Sequence, residues 1–130
     1  MSAGSEAAER MLAEKETLAR ALGEALYERR PELLERFGEY GRAKCHEDMR
    51  YNVEHLAPAV DLGDPELFAG YVRWLEGLLR ARGVDSRDIT DTLELMDDLF
   101  RQRFTAEQHA AIEQSLRAGL EVLRPAPEAQ

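Results

Sequence analysis

A single cysteine, Cys45, in 130 residues leaves no partner for an internal disulfide. Aromatic residues make up only 7% of the chain, and no apolar run approaches the roughly 20 residues that a bilayer-spanning helix needs. A membrane role is therefore not expected. Positive charge is also scarce: 17 Lys and Arg stand against 26 Asp and Glu, a formal charge of −9. Such a surface repels a phosphate backbone unless its cations are gathered on one face. Here they are scattered, with only small pairs such as Arg29-Arg30 and Arg80/Arg82, so a nucleic-acid partner is not expected. The opening Met1-Ser2-Ala3-Gly4-Ser5 has neither the basic region nor the apolar core of a secretory signal, and the expected location is the cytoplasm. Internal repeats, strand-like alternation and a glycine-rich phosphate loop are missing too.

What fills the chain is Ala, Leu, Glu and Arg, at 44% apolar and 33% charged residues, a composition that favours helix. The length suits one core, and the expected organisation is a single all-α domain of about six helices over residues 1–124 with a flexible tail over 125–130. Met11, Leu12, Leu18, Leu22 and Leu26 recur on one face and predict a first helix from Ser5 to about Arg29. Pro31 opens a short second helix that softens at Gly38 and Gly41. The third runs from about Arg42 to about Ala57, and Pro58 predicts a kink or an early end. Gly63-Asp64-Pro65 reads as a helix stop, a cap and a first-turn proline, and it introduces a fourth helix that Gly83 ends. Asp85 or Ser86 caps the fifth. Thr105 with Gln108 forms a capping box for the sixth.

The third helix carries the informative polar residues. At about 100° per residue, Glu47, Arg50 and Glu54 fall on a solvated face. Cys45, Met49, Asn52, Val53 and Leu56 share the apolar stripe, with Asp48 and His55 on its flank. Buried amides and carboxylates need partners, which are either neighbouring helices or a ligand. The structural alternative makes Cys45 a small core hydrophobe beside satisfied polar groups. Metal chelation by Cys45, Asp48, Asn52 and His55 is not expected, because they spread over three turns. Nor is catalysis: Cys45 has no aligned imidazole and no oxyanion hole, so the chain reads as a non-enzyme. Of the histidines, His109 reads as a surface group and His55 as the pocket member. Tyr40, Tyr51, Phe68, Tyr71 and Trp74 are the aromatic candidates for a pocket lining, against an aromatic core or dimer patch.

The string Ala43-Lys44-Cys45-His46-Glu47-Asp48-Met49-Arg50-Tyr51, followed by Gly63-Asp64-Pro65 and Gly83-Val84, resembles the chromophore helix and the next helix of the phycobiliprotein branch of the globin-like superfamily. The wider pattern, from Tyr27 through Pro31-Glu32-Leu33 to Tyr71-Val72-Arg73-Trp74-Leu75, is similar to globin-like modules of non-photosynthetic bacteria that stand ahead of cobalamin-binding domains or beside bilin-synthesis enzymes. The resemblance implies a bacterial sensor or carrier that holds a linear tetrapyrrole (bilin). Cys45 would be the thioether residue and Asp48 the acceptor for the ring nitrogens. Glu47 stands where the family places a propionate-binding arginine, so Arg42 or Lys44 takes that role, and Tyr71 and Trp74 flank the ring system. Asn52 and His55 complete the expected lining, and a bilin-synthesis or signalling protein is the expected partner. Two other readings stay open: a homodimeric interaction module without a small ligand, and a haem-binding globin through His55.

Overall fold

The computed structural model describes residues 2–125, and within them there are six α-helices and no strand. They are α1 (Ala3–Ala13), α2 (Lys15–Arg29), α3 (Glu32–Leu62), α4 (Pro65–Ala81), α5 (Ser86–Arg103) and α6 (Ala106–Leu123). The expected all-α class holds. The expected tail falls mostly outside the described residues.

The helix ends follow the local chemistry of the sequence. Gly63 takes the left-handed conformation, φ 62° and ψ 35°, and the N–H of Asp64 reaches back to the carbonyl of Ala59 at 2.9 Å. The Asp64 carboxylate then accepts the N–H of Glu66, with Pro65 in the first turn of α4. Asp85 caps α5 by accepting the N–H of Arg87 at 2.9 Å. Thr105 and Gln108 exchange both bonds of a capping box at the start of α6.

Two boundaries differ from expectation. The single helix expected from Ser5 to Arg29 is broken at Glu14, whose φ of −108° and ψ of 16° leave the helical region. The break lets Ala7, Ala8 and Met11 pack on α3 and α6 while Leu18, Ala19, Leu22 and Leu26 pack on α3 and α5. Leu12, expected to face inward, is exposed as a result. Conversely, α3 does not end at Pro58 but continues to Leu62. Proline removes one backbone bond, to the carbonyl of Glu54, yet its ring is exposed and Ala57, Ala59 and Val60 beside it are buried. Tertiary packing outweighs the local loss. The interruption lies instead at Gly38, one of the two glycines where the short second helix was expected to soften, with φ 68° and ψ −169°, a conformation that only glycine adopts without strain.

One cluster of buried side chains draws on all six helices, including Met11, Leu22, Val53, Phe68, Phe100 and Ile112. No helix of the described residues is long and apolar enough to cross a membrane.

Candidate functional site

α3 and α4 pack against one another, and the register between them sets the site. Asn52 is buried on α3, where a lone amide would cost on the order of 1–3 kcal/mol. The partner that its place on the apolar stripe demanded is Tyr71: the phenol O–H of Tyr71 donates to Asn52 Oδ1 at 2.6 Å. Asn52 Nδ2 turns to the Met49 sulfur at 3.9 Å. Among the described residues no buried side-chain nitrogen or oxygen is left without a partner.

With its hydroxyl fixed, Tyr71 presents a face to His55, and the two rings stack with centroids 4.2 Å apart and planes within 8°. Trp74, three residues along α4, has its ring 6.0 Å from that of Tyr71, and Phe68 supports Tyr71 from the core at 5.8 Å. His55, Tyr71 and Trp74, together with Leu67, line an open cleft of about 350 Å³. Trp74 is 60% exposed, which is unusual for the only tryptophan of a chain poor in aromatics. Leu67 and Leu62 are also exposed.

The remaining expected site residues divide. Cys45 is partly buried against the core. Asp48 is exposed, but the surrounding protein strips part of its hydration and raises its carboxyl pKa, a rise that Lys44 and Arg82 counter and Glu47 reinforces. Arg82, at the end of α4, was not among the residues expected near Asp48. Lys44 pairs with Glu47 at 3.6 Å, and the Arg42 guanidinium lies 5.7 Å from the Tyr27 ring centroid, so both expected propionate ligands have partners within the chain.

Several expectations are corrected. Tyr40 is 84% exposed and Tyr51 donates to Glu47 at the surface, so neither lines the cleft; Phe68 is fully buried, in keeping with the aromatic-core alternative. The face with Glu47, Arg50 and Glu54 is more than a solvated stripe: Arg50 and His46 both reach Glu16 of α2, at 3.3 and 3.1 Å, and Lys15 reaches Glu54 at 3.3 Å. His55 is exposed on the cleft rather than set at the core edge. His109, expected at the surface, is only 9% exposed, and its Nε2 lies 2.7 Å from Asp97 Oδ1.

Burial of Cys45, reinforced by the negative charge of Asp48, pushes its thiol from the ordinary 9.0 up to about 11. The thiol is therefore protonated at neutral pH and a poor nucleophile. The folded chain keeps this proton between pH 9.0 and about 11, where the unfolded chain has already lost it, so stability falls as pH rises through that window. Denaturant midpoints measured from about pH 8 to about pH 11 should fall more steeply for the wild type than for Cys45→Ala. Equal slopes would show that the thiol does not carry this loss. Burial also raises the Tyr71 hydroxyl, which keeps it a donor to Asn52 throughout the ordinary pH range.

In comparisons with known proteins, no family model and no curated protein matches this chain.

Proposed function

We propose that this chain is a non-enzymatic, globin-like sensor or carrier domain that holds a linear tetrapyrrole against α3 and α4. The observation that carries this reading is the aromatic shelf: His55 stacked on Tyr71, with Trp74 beside it, open to solvent at a cleft of about 350 Å³. Flat conjugated ligands gain from offset stacking on such rings. An open cleft of that size covers one face of a ligand and leaves the other face in water.

The residues fit that class of ligand. Asp48 offers an anionic acceptor for pyrrole N–H groups, and Arg82, close enough to shift its titration, offers a cation for carboxylate substituents. The donor–acceptor lock between Tyr71 and Asn52 fixes the shelf before a ligand arrives. Cys45 is protonated at neutral pH, so binding is non-covalent in its first step, and a thioether requires a separate activation of the thiol. A bilin supplies the visible absorption; the chain supplies the shelf, the acceptor and the surrounding charge.

Trp74 is the only tryptophan, so its fluorescence reports the site directly. Titration of the full chain with biliverdin should quench that fluorescence saturably and shift the bilin absorption band. Asp48→Ala should weaken the binding about tenfold, the loss of one charge-assisted hydrogen bond. Absence of quenching, together with colourless protein after co-expression with a bilin supply, would sink the proposal. A Soret band that disappears in His55→Ala would assign the cleft to haem instead.

The exposed Leu67 and Trp74, which share the cleft, favour a second reading, in which this face joins two copies of the chain. Light scattering separates the two. A dimer that persists in Asp48→Ala and is lost in Trp74→Glu supports the interface.

A further inference from the structure

We propose that Asp97, His109 and Glu113 form a binding site for a divalent transition-metal ion, with Zn²⁺ the best-suited ion. The site lies between α5 and α6, on other elements than the α3/α4 cleft. His109 and Glu113 are four residues apart and therefore share one face of α6, while Asp97 approaches from α5. One ligand atom from each residue lies within 4.8 Å of the other two. In a tetrahedral zinc site, bonded nitrogen and oxygen ligands stand about 3.4 Å apart, so side-chain rotations of about an ångström close the triad around an ion.

The chemistry of the three groups is specific. An imidazole with two carboxylates and no sulfur suits borderline ions such as Zn²⁺ and Co²⁺ rather than soft ones, and three protein ligands leave a fourth position for water. His109 is buried, and its Nε2 lies 2.7 Å from Asp97 Oδ1, so the two ligands already face one another, and an ion that binds both must open that hydrogen bond. A chain of net charge −9 also draws cations toward it.

Two arginines balance the carboxylates. Arg101 bridges Asp97 Oδ2 at 3.0 Å and Glu113 Oε2 at 3.4 Å, and Arg117 reaches Glu113 Oε1 at 3.2 Å. Their side chains are 57% and 74% exposed, and exposed pairs of this kind are weak and readily broken. The guanidinium of Arg101 is thus a competitor that an incoming dication displaces into solvent. That competition separates a metal site from a purely structural ion network, because removing Arg101 weakens a network and strengthens a metal site.

Calorimetric titration of the metal-free full chain with Zn²⁺, repeated with Co²⁺ to read its visible ligand-field bands, tests the site. One equivalent should bind, unchanged in Cys45→Ala. Glu113→Gln and Asp97→Asn should each weaken binding about tenfold or more, while Arg101→Ala should tighten it by up to about fivefold, the reach of one exposed pair. Circular dichroism checks that each variant keeps its helices. His109→Ala empties a buried position, so the half-buried Glu113→Gln is the deciding variant. Failure of both the wild type and Arg101→Ala to take up one equivalent would overturn the site, as would uptake that Glu113→Gln leaves unchanged.

Discussion

Phe68→Ala should destabilise the chain by ~3–5 kcal/mol, the largest loss expected from any single truncation at the α3/α4 cleft. Phe68 is fully buried, and it connects two parts of the molecule: its ring packs against Gly119 of α6 and also supports Tyr71. Truncation removes the transfer energy of the ring and leaves a cavity that the rigid helices around it cannot close. Domains of this size commonly hold only about 5–15 kcal/mol in total, so the denaturant midpoint should drop by a large fraction. The functional consequence follows from the same contact. Tyr71 loses its support from the core while its bond to Asn52 remains, so the shelf tilts rather than vanishes. Under the proposed bilin reading, Phe68→Ala should therefore bind more weakly than wild type even where it is fully folded. A loss below about 1 kcal/mol in urea unfolding would show that α4 and α6 collapse onto the gap.

How much of this was legible in the sequence depends on the range of each interaction. Gly63-Asp64-Pro65, Asp85 and the Thr105/Gln108 pair act within four residues of themselves, and the structure places the stops and caps where those residues predict them. Asn52 carried a second kind of signal. An amide on an apolar stripe demands a partner, but which residue answers depends on how α3 and α4 slide past one another. Tyr71, nineteen positions away, could not be singled out from spacing. The adjacency of Tyr71 and Trp74 was readable because it lies within one helix, whereas the stacking of His55 on Tyr71 crosses between two.

The failures have the same origin. Met11 and Leu18 are seven residues apart and preserve a helical face, so periodicity runs straight through the break at Glu14. Pro58 is a strong local breaker, yet buried Ala57, Ala59 and Val60 hold the helix through it. His109 reads as a surface group because it lies near the start of the last helix, whereas in the fold it is buried and faces Asp97 of α5. A histidine followed four residues later by a glutamate was the one local hint of the α5/α6 triad. That pattern is common on helices, and only the third ligand from another helix gives it meaning.

Gly119→Val is the second substitution with a large expected effect, and it acts by the opposite mechanism. Glycine inside a helix ordinarily costs about 1 kcal/mol relative to alanine, and unlike the helical Gly23, Gly70 and Gly77, which have open space where a Cβ would stand, Gly119 has a packing reason. At Gly119 a Cβ would stand 2.9 Å from Phe68 Cε2 and 3.0 Å from Val72 Cγ2, closer than side-chain carbons pack. Phe68 and Val72 are both fully buried and cannot move aside cheaply. Valine adds two methyl groups to a gap already too small for one, and overpacking of this kind costs about 1–3 kcal/mol or forces α6 away from α4. Alanine tests the balance at the margin, since its gain in propensity offsets part of the clash. The two substitutions should also interact. Phe68→Ala opens the space that the new methyl groups at position 119 fill, so the loss for the double variant should fall short of the sum of the singles by about 1 kcal/mol or more in a double-mutant cycle. Strict additivity would place the clash elsewhere and remove Phe68 as the reason position 119 is glycine.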